Sequence, residues 1–131
     1  NFFMKSILRN VAINLNNSQI SKRNFIFQPK IKLIFNFLNI LWNEGFILGY
    51  KLYGVNSNLL KIFLKYKKNK PVINSIKLFY NSGFTNHYKL SQLWKLDSKK
   101  NLIILNTSKG LMTVQECKKN QVGGQPLFIV K

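Results

Sequence analysis

At 131 residues, 46% of them hydrophobic, the chain is long and apolar enough for one compact unit or two small ones, which excludes a disordered tail or linker. Against 21 Lys plus Arg stand 3 acidic residues, and a formal charge of +18 makes the molecule repel its own copies until a polyanion neutralises it, which argues against a free-standing metabolic enzyme. A single cysteine, Cys117, and a single histidine, His87, exclude an intrachain disulfide and a Cys/His zinc centre.

From the start, Phe3, Met4, Ile7, Leu8, Val11 and Leu15 recur at three- and four-residue steps with Lys5, Arg9, Asn10 and Asn14 between them. This spacing predicts an amphipathic helix that polar Asn16 to Ser21 ends. The same basic, acid-free opening has the composition of a mitochondrial transit peptide, and we read it as a retained structural helix. Phe25 to Phe27 reads as a short strand, and Pro29 biases Gln28 towards extended geometry. In Ile31 to Asn43 the polar Lys32, Asn36, Asn39 and Asn43 fall at steps of four, three and four, one wet stripe on an apolar helix that Gly45 stops. The greasy stretch Ile31 to Trp42 falls short of the roughly 20 residues that a membrane-spanning helix needs.

Two strands follow, Phe46 to Tyr53 and Leu59 to Tyr66, joined by a turn containing Gly54, Asn56, Ser57 and Asn58. Lys61, Phe63 and Lys65 alternate with Leu60, Ile62 and Leu64, so one face is expected to be buried and the other basic. The run Lys67 to Pro71 concentrates like charge and a strand breaker. It is taken as the boundary between domains at 1–66 and 72–131, and the run itself reads either as a solvated hairpin tip or linker or as an RNA contact. Beyond it are expected a strand at Val72 to Phe79, a turn at Asn81 to Gly83, a strand at Phe84 to Lys89 and a short helix from Ser91 to Leu96. Leu102 to Leu105 reads as an apolar strand, and Thr113 with Glu116 as a capping box opening a helix through Lys119. Gly123 and Gly124 are expected to close that helix before a final strand, Gln125 to Val130.

The chemistry of catalysis finds little support. Glu44, Asp97 and Glu116 sit in three separate elements, and no Gly-x-Ser-x-Gly elbow accompanies His87. The informative patch is Asn106, Thr107, Ser108, Lys109 and Gly110, small polar residues, a cation and a glycine directly after a buried strand. Such groups donate to phosphate and ribose oxygens, although the same composition also makes an ordinary turn. It is not a P-loop, because the first glycine and the Gly-Lys-Ser/Thr order are missing.

Asn-Thr-Ser-Lys-Gly-Leu-Met-Thr at 106–113, then Val-Gly-Gly-Gln at 122–125 and a terminal apolar strand, resembles the C-terminal signature of the small ribosomal subunit protein eight family. The family pattern is Ser-Thr-Ser-Lys-Gly-(Ile/Val/Leu)-Met-Thr followed by Gly-Gly-Glu. Similarity extends back through Lys70-Pro71-Val72-Ile73 and Asn43-Glu44-Gly45-Phe46-Ile47, covering Ile7 to Val130 in order. The resemblance implies an α/β protein of the α+β type with two small domains, each a short, mainly antiparallel sheet packed with helices. It implies a C-terminal domain that binds a stem in the central domain of small-subunit ribosomal RNA, and no catalytic activity, cofactor or metal. Implied partners are that RNA and neighbouring small-subunit proteins, protein five among them, with no membrane and no small-molecule substrate. Carried over by position, the RNA-binding residues are Asn106, Thr107, Ser108, Lys109, Gly110, Gly123, Gly124 and Gln125, with His87 and Tyr88 as the two candidates for one aromatic position.

Departures are Asn106 for the family's serine, Gln125 for its glutamate, Asn14 and Asn16 for an arginine pair, and missing glycines around Lys99 to Asn101. Two other readings compete: a basic membrane-surface or general nucleic-acid binder built on the first helix, and a small nuclease using His87. Lys outnumbers Arg 19 to 2 and Asn, Ile and Phe abound, all residues of AT-rich codons. This points to an organellar gene, mitochondrial ahead of plastid.

Overall fold

In the computed structural model, which describes residues 2–78, 88–93 and 101–131, Leu8, Val11, Ala12 and Leu15 line the buried side of helix α1 (Phe2–Ile20). The expected stripe is present, and the helix ends at Ile20, inside the polar run Asn16 to Ser21 expected to end it. It continues past Ser18 and Gln19, both buried, and closes when the Lys22 amide donates to the Gln19 carbonyl and the Arg23 amide to the Ser18 carbonyl, at 3.1 and 3.0 Å. Lys22 takes a left-handed φ of 57°, a position usually filled by glycine.

Helix α2 (Lys32–Asn43) buries Ile34, Phe37, Leu38, Ile40 and Leu41. Gly45 stops it as expected, at φ 80°, while the Phe46 amide donates back to the Leu41 carbonyl at 2.8 Å. Strands β1 (Phe25–Pro29), β2 (Ile47–Tyr53) and β3 (Leu59–Leu64) form an antiparallel sheet in the order β1-β3-β2. Ile26, Ile47, Leu60, Ile62 and Leu64 are buried, with α1 against β1 and α2 against β2. Tyr50 ties the layers together: its hydroxyl donates to Asn39 Oδ1, and its ring stands edge-on to Phe35 and Trp42.

The run Lys67 to Pro71 takes the hairpin form among its expected readings, with β4 (Tyr66–Lys67) paired to β5 (Lys70–Pro71). Lys68 and Asn69 have φ of 52° and 62°, and two successive left-handed residues give the tight turn whose twist matches its strands. The chain divides after this hairpin, into Asn1–Asn74 and Ser75–Lys131.

The second unit is an antiparallel sheet of β6 (Ile76–Leu78), β7 (Leu102–Thr107), β8 (Gly110–Thr113) and β9 (Gln125–Val130), ordered β6-β9-β7-β8. Helices α3 (Leu90–Leu93) and α4 (Val114–Asn120) complete it. β9 has the expected limits, β6 starts four residues later than expected, and β8 falls where the sequence reading assigns no strand. The expected turn at 81–83, the strand from 84 to 87 and residues 94–96 of the short helix lie outside the described residues.

Ile103, Leu105, Met112, Val114 and Cys117 form one buried cluster, with Tyr88, Val122 and Ile129 packed against it. Ile76, Ile104, Phe128 and Val130, at registered positions on the opposite face of the sheet, are buried as well. Burial on both faces explains the unbroken apolar run of Leu102 to Leu105. Pro126, which cannot donate to a ladder, sits where β9 carries one extra residue, since Ile104 pairs with Phe128 and Leu105 with Pro126.

Candidate nucleic-acid interface

The pairing of β7 with β8 turns Asn106 to Gly110 into a hairpin in which Thr107 opposes Gly110 and only Ser108 and Lys109 lie between. Ser108 and Lys109 keep negative φ, and Gly110 takes φ 106°, the positive-φ position that follows such a turn and that L side chains rarely adopt. Thr107 is 9% exposed, and its hydroxyl is used within the turn. It donates to the Gly110 carbonyl at 2.8 Å and accepts from the Lys109 amide at 3.1 Å. The exposed side chains at the tip are Ser108 and Lys109, with Asn106 half-buried at the base.

Gly124 shows why the base of the turn is rigid. A Cβ placed there would lie 2.8 Å from the Asn106 carbonyl oxygen and 2.8 Å from Thr107 Cγ2, distances no real side chain tolerates. The residue is a glycine because β9 passes hard against the turn, not because of an unusual dihedral. The expected role of Gly123 and Gly124 as helix terminators is thus corrected: Gln121 supplies the left-handed cap of α4, at φ 56° and ψ 47°. On its other side Gly124 forms a two-bond bridge with Tyr88, whose amide donates to the Gly124 carbonyl at 2.7 Å and whose carbonyl accepts from the Gly124 amide at 3.0 Å. Gln125 opposes Asn106 in the β7–β9 register.

Of the candidate residues, then, Asn106 to Gly110, Gly124, Gln125 and Tyr88 come together, and Gly123 precedes them by one position. The Tyr88 ring packs against the buried cluster. His87 lies outside the described residues. The capping box is as expected, with the Glu116 amide donating to Thr113 Oγ1 at 3.1 Å and the Thr113 hydroxyl facing the Glu116 carboxylate at 3.4 Å. Lys119 is exposed at the end of α4, while Lys118 is partly buried. Burial raises the Cys117 thiol above its ordinary pKa, and the Glu116 carboxylate adds to the rise. Among the described residues no three His, Cys, Asp or Glu side chains gather into a metal-holding group, and no helix is long and apolar enough to cross a membrane.

Sequence reasoning misses the division of labour inside the patch. By composition Thr107 is a donor to RNA, and a hydroxyl two residues before an amide in a turn is the available sign that it serves the backbone instead.

Comparison with known proteins places the chain among ribosomal protein sequences. The family model described as "Ribosomal protein S8" matches residues 6–130. The small ribosomal subunit protein uS8 of Malacoplasma penetrans is 35% identical over 112 residues, covering 84% of this chain and 86% of the relative. That of Wigglesworthia glossinidia brevipalpis is 32% identical over 128 residues and covers 98% of both chains. The uS8 of Stutzerimonas stutzeri is 30% identical over 127 residues, 97% of this chain and 98% of the relative.

Proposed function

The chain belongs to the ribosomal protein S8 family, and on that premise we propose that the turn from Thr107 to Gly110 docks on a stem of small-subunit ribosomal RNA. The protein is a structural, non-enzymatic constituent of the small ribosomal subunit and serves translation. The observation that carries the finer reading is the built turn: Thr107 spends its hydroxyl inside it, Gly124 braces it, and Ser108 and Lys109 are held out at its tip. A short hydroxyl and one ammonium at fixed positions suit ribose hydroxyls and phosphates across the shallow minor groove of an A-form stem, whose major groove is too narrow for side chains. Thr107, Gly110 and Gly124 act as positioning residues in this reading.

The RNA-binding role is assigned to the unit Ser75–Lys131, and the stem to the central domain of the RNA, as the family resemblance implies. Protein five is the proposed protein neighbour on the same ground. The Lys, Asn, Ile and Phe bias supports a mitochondrial ribosome, with a plastid ribosome second.

Ser108→Ala removes no charge. It is expected to weaken binding to a central-domain stem by about 1 kcal/mol, the worth of one hydrogen bond, and to leave random duplex RNA unaffected. Lys77→Ala with Lys119→Ala, both exposed and outside the turn segment, should weaken both RNAs alike. An equal loss on both RNAs for Ser108→Ala, or none, would show the turn to be ordinary.

A further inference from the structure

The face of the first sheet opposite the helices is lined by alternate residues of three strands. Phe25 and Phe27 come from β1, Lys61 and Phe63 from β3, Lys51 and Tyr53 from β2. Register sets them side by side, Phe25 against Phe63 and Phe27, Lys61 and Lys51 in one row. Phe25, Phe27 and Tyr53 are 40, 39 and 49% exposed. Their rings form a continuous surface, with centroids 5.5 Å apart for Phe25 and Phe27 and 5.0 Å for Phe27 and Tyr53. Lys61 Nζ sits amid them, 4.2 Å from the Phe25 centroid, 5.4 Å from Phe63 and 5.6 Å from Tyr53, and Lys51 Nζ is 5.7 Å from Phe63.

We propose that this face is a second nucleic-acid site, which takes an unpaired stretch of RNA by stacking its bases on Phe25, Phe27 and Tyr53 while Lys51 and Lys61 hold its phosphates. The choice of occupant follows from charge and shape together. An apolar protein surface would bury two ammonium groups with no anion to meet them, which is costly. The partner must therefore bring negative charge. An acidic peptide would satisfy the lysines but leave three exposed rings without a flat counterpart. An unpaired nucleotide supplies both, a phosphate for the ammonium and a π-face for the ring. The demand differs from that of the turn on the second unit, which suits a closed stem and carries no aromatic tip.

The test uses the full chain and a ten-residue oligouridylate, whose bases stack poorly on one another and are free to stack on protein. Phe27→Ile with Tyr53→Ile keeps apolar bulk and strand propensity at exposed positions but removes the planar faces. Affinity for the oligouridylate is expected to fall about tenfold or more, with binding to duplex RNA unchanged. Ser108→Ala should leave oligouridylate binding intact, so the two sites are separable. Independently of any variant, photo-cross-linking of the wild-type chain to an oligomer containing 5-iodouridine should map to Phe25, Phe27 or Tyr53. Equal losses on single-stranded and duplex RNA, cross-links confined to other residues, or displacement of the oligomer by a polyglutamate peptide or anionic phosphatidylserine vesicles at comparable concentration would overturn the proposal.

Discussion

Gly124 and Gly110 stand at the same turn for different reasons, and substitution separates them. At Gly124 the obstacle to a side chain is a backbone carbonyl and a buried threonine, neither of which can swing away. Gly124→Ala is therefore expected to destabilise the second unit by about 1 to 3 kcal/mol, the range of overpacked cores, and to weaken binding to the stem with it. Thermal denaturation and a stem-binding titration check both; unchanged values in both would remove the bracing role. At Gly110 the space is open, and only the φ of 106° resists a Cβ. Cys117 gives a second test at this scale. It is fully buried, and burial together with Glu116 raises its thiol above the usual range. In the folded chain at pH 8 it should react with iodoacetamide far more slowly than in urea. A group whose folded pKa is raised contributes stability that is complete below its unfolded value and is lost as pH rises through the folded one. Tyr50 and Tyr66, both raised by burial, act in the same direction. Urea midpoints should fall as pH climbs from neutral into the alkaline range.

At the scale of elements, helix ends decide where the chain turns. α2 ends on a glycine, α4 on Gln121 and α1 on Lys22, the last two in left-handed backbone that costs an L side chain about 1 kcal/mol or more. Lys22→Gly should recover part of that strain, offset by the greater freedom of glycine in the unfolded chain. A gain of up to about 1 kcal/mol in chemical denaturation is expected; a clear loss would show that the Lys22 side chain stabilises the helix end by another route. The run Lys67 to Pro71 turns for the same reason, inside the first unit. A lysine-rich run next to proline has the composition of a linker, yet two left-handed residues fold it into a hairpin whose Tyr66 hydroxyl donates to the Arg23 carbonyl.

For the whole molecule, a charge of +18 makes attraction to phosphate the main driving force of any RNA complex. Each phosphate neutralised by lysine contributes up to about one unit to the slope of log affinity against log salt. Binding to the stem should fall steeply with potassium chloride. Ser108→Ala should lower the line without changing its slope, while Lys77→Ala with Lys119→Ala should flatten it. A salt-independent affinity would remove the electrostatic basis of the proposed function.

Much of this was legible in the linear chain because it depends on neighbours in sequence. The three- and four-residue periodicity of α2, the alternation in β3 and the Thr113–Glu116 capping box are local properties, and each has its expected counterpart. The signature around Asn106 to Gly110 was also readable, since it occupies consecutive positions. Relations between residues far apart in sequence exist only once the chain has folded. That Gly124 must be bare depends on Asn106 and Thr107 lying against it. The aromatic and lysine face exists because the register of three strands sets Phe27, Lys61, Lys51 and Tyr53 together, and alternation within any one strand shows which face a side chain takes but not what stands beside it.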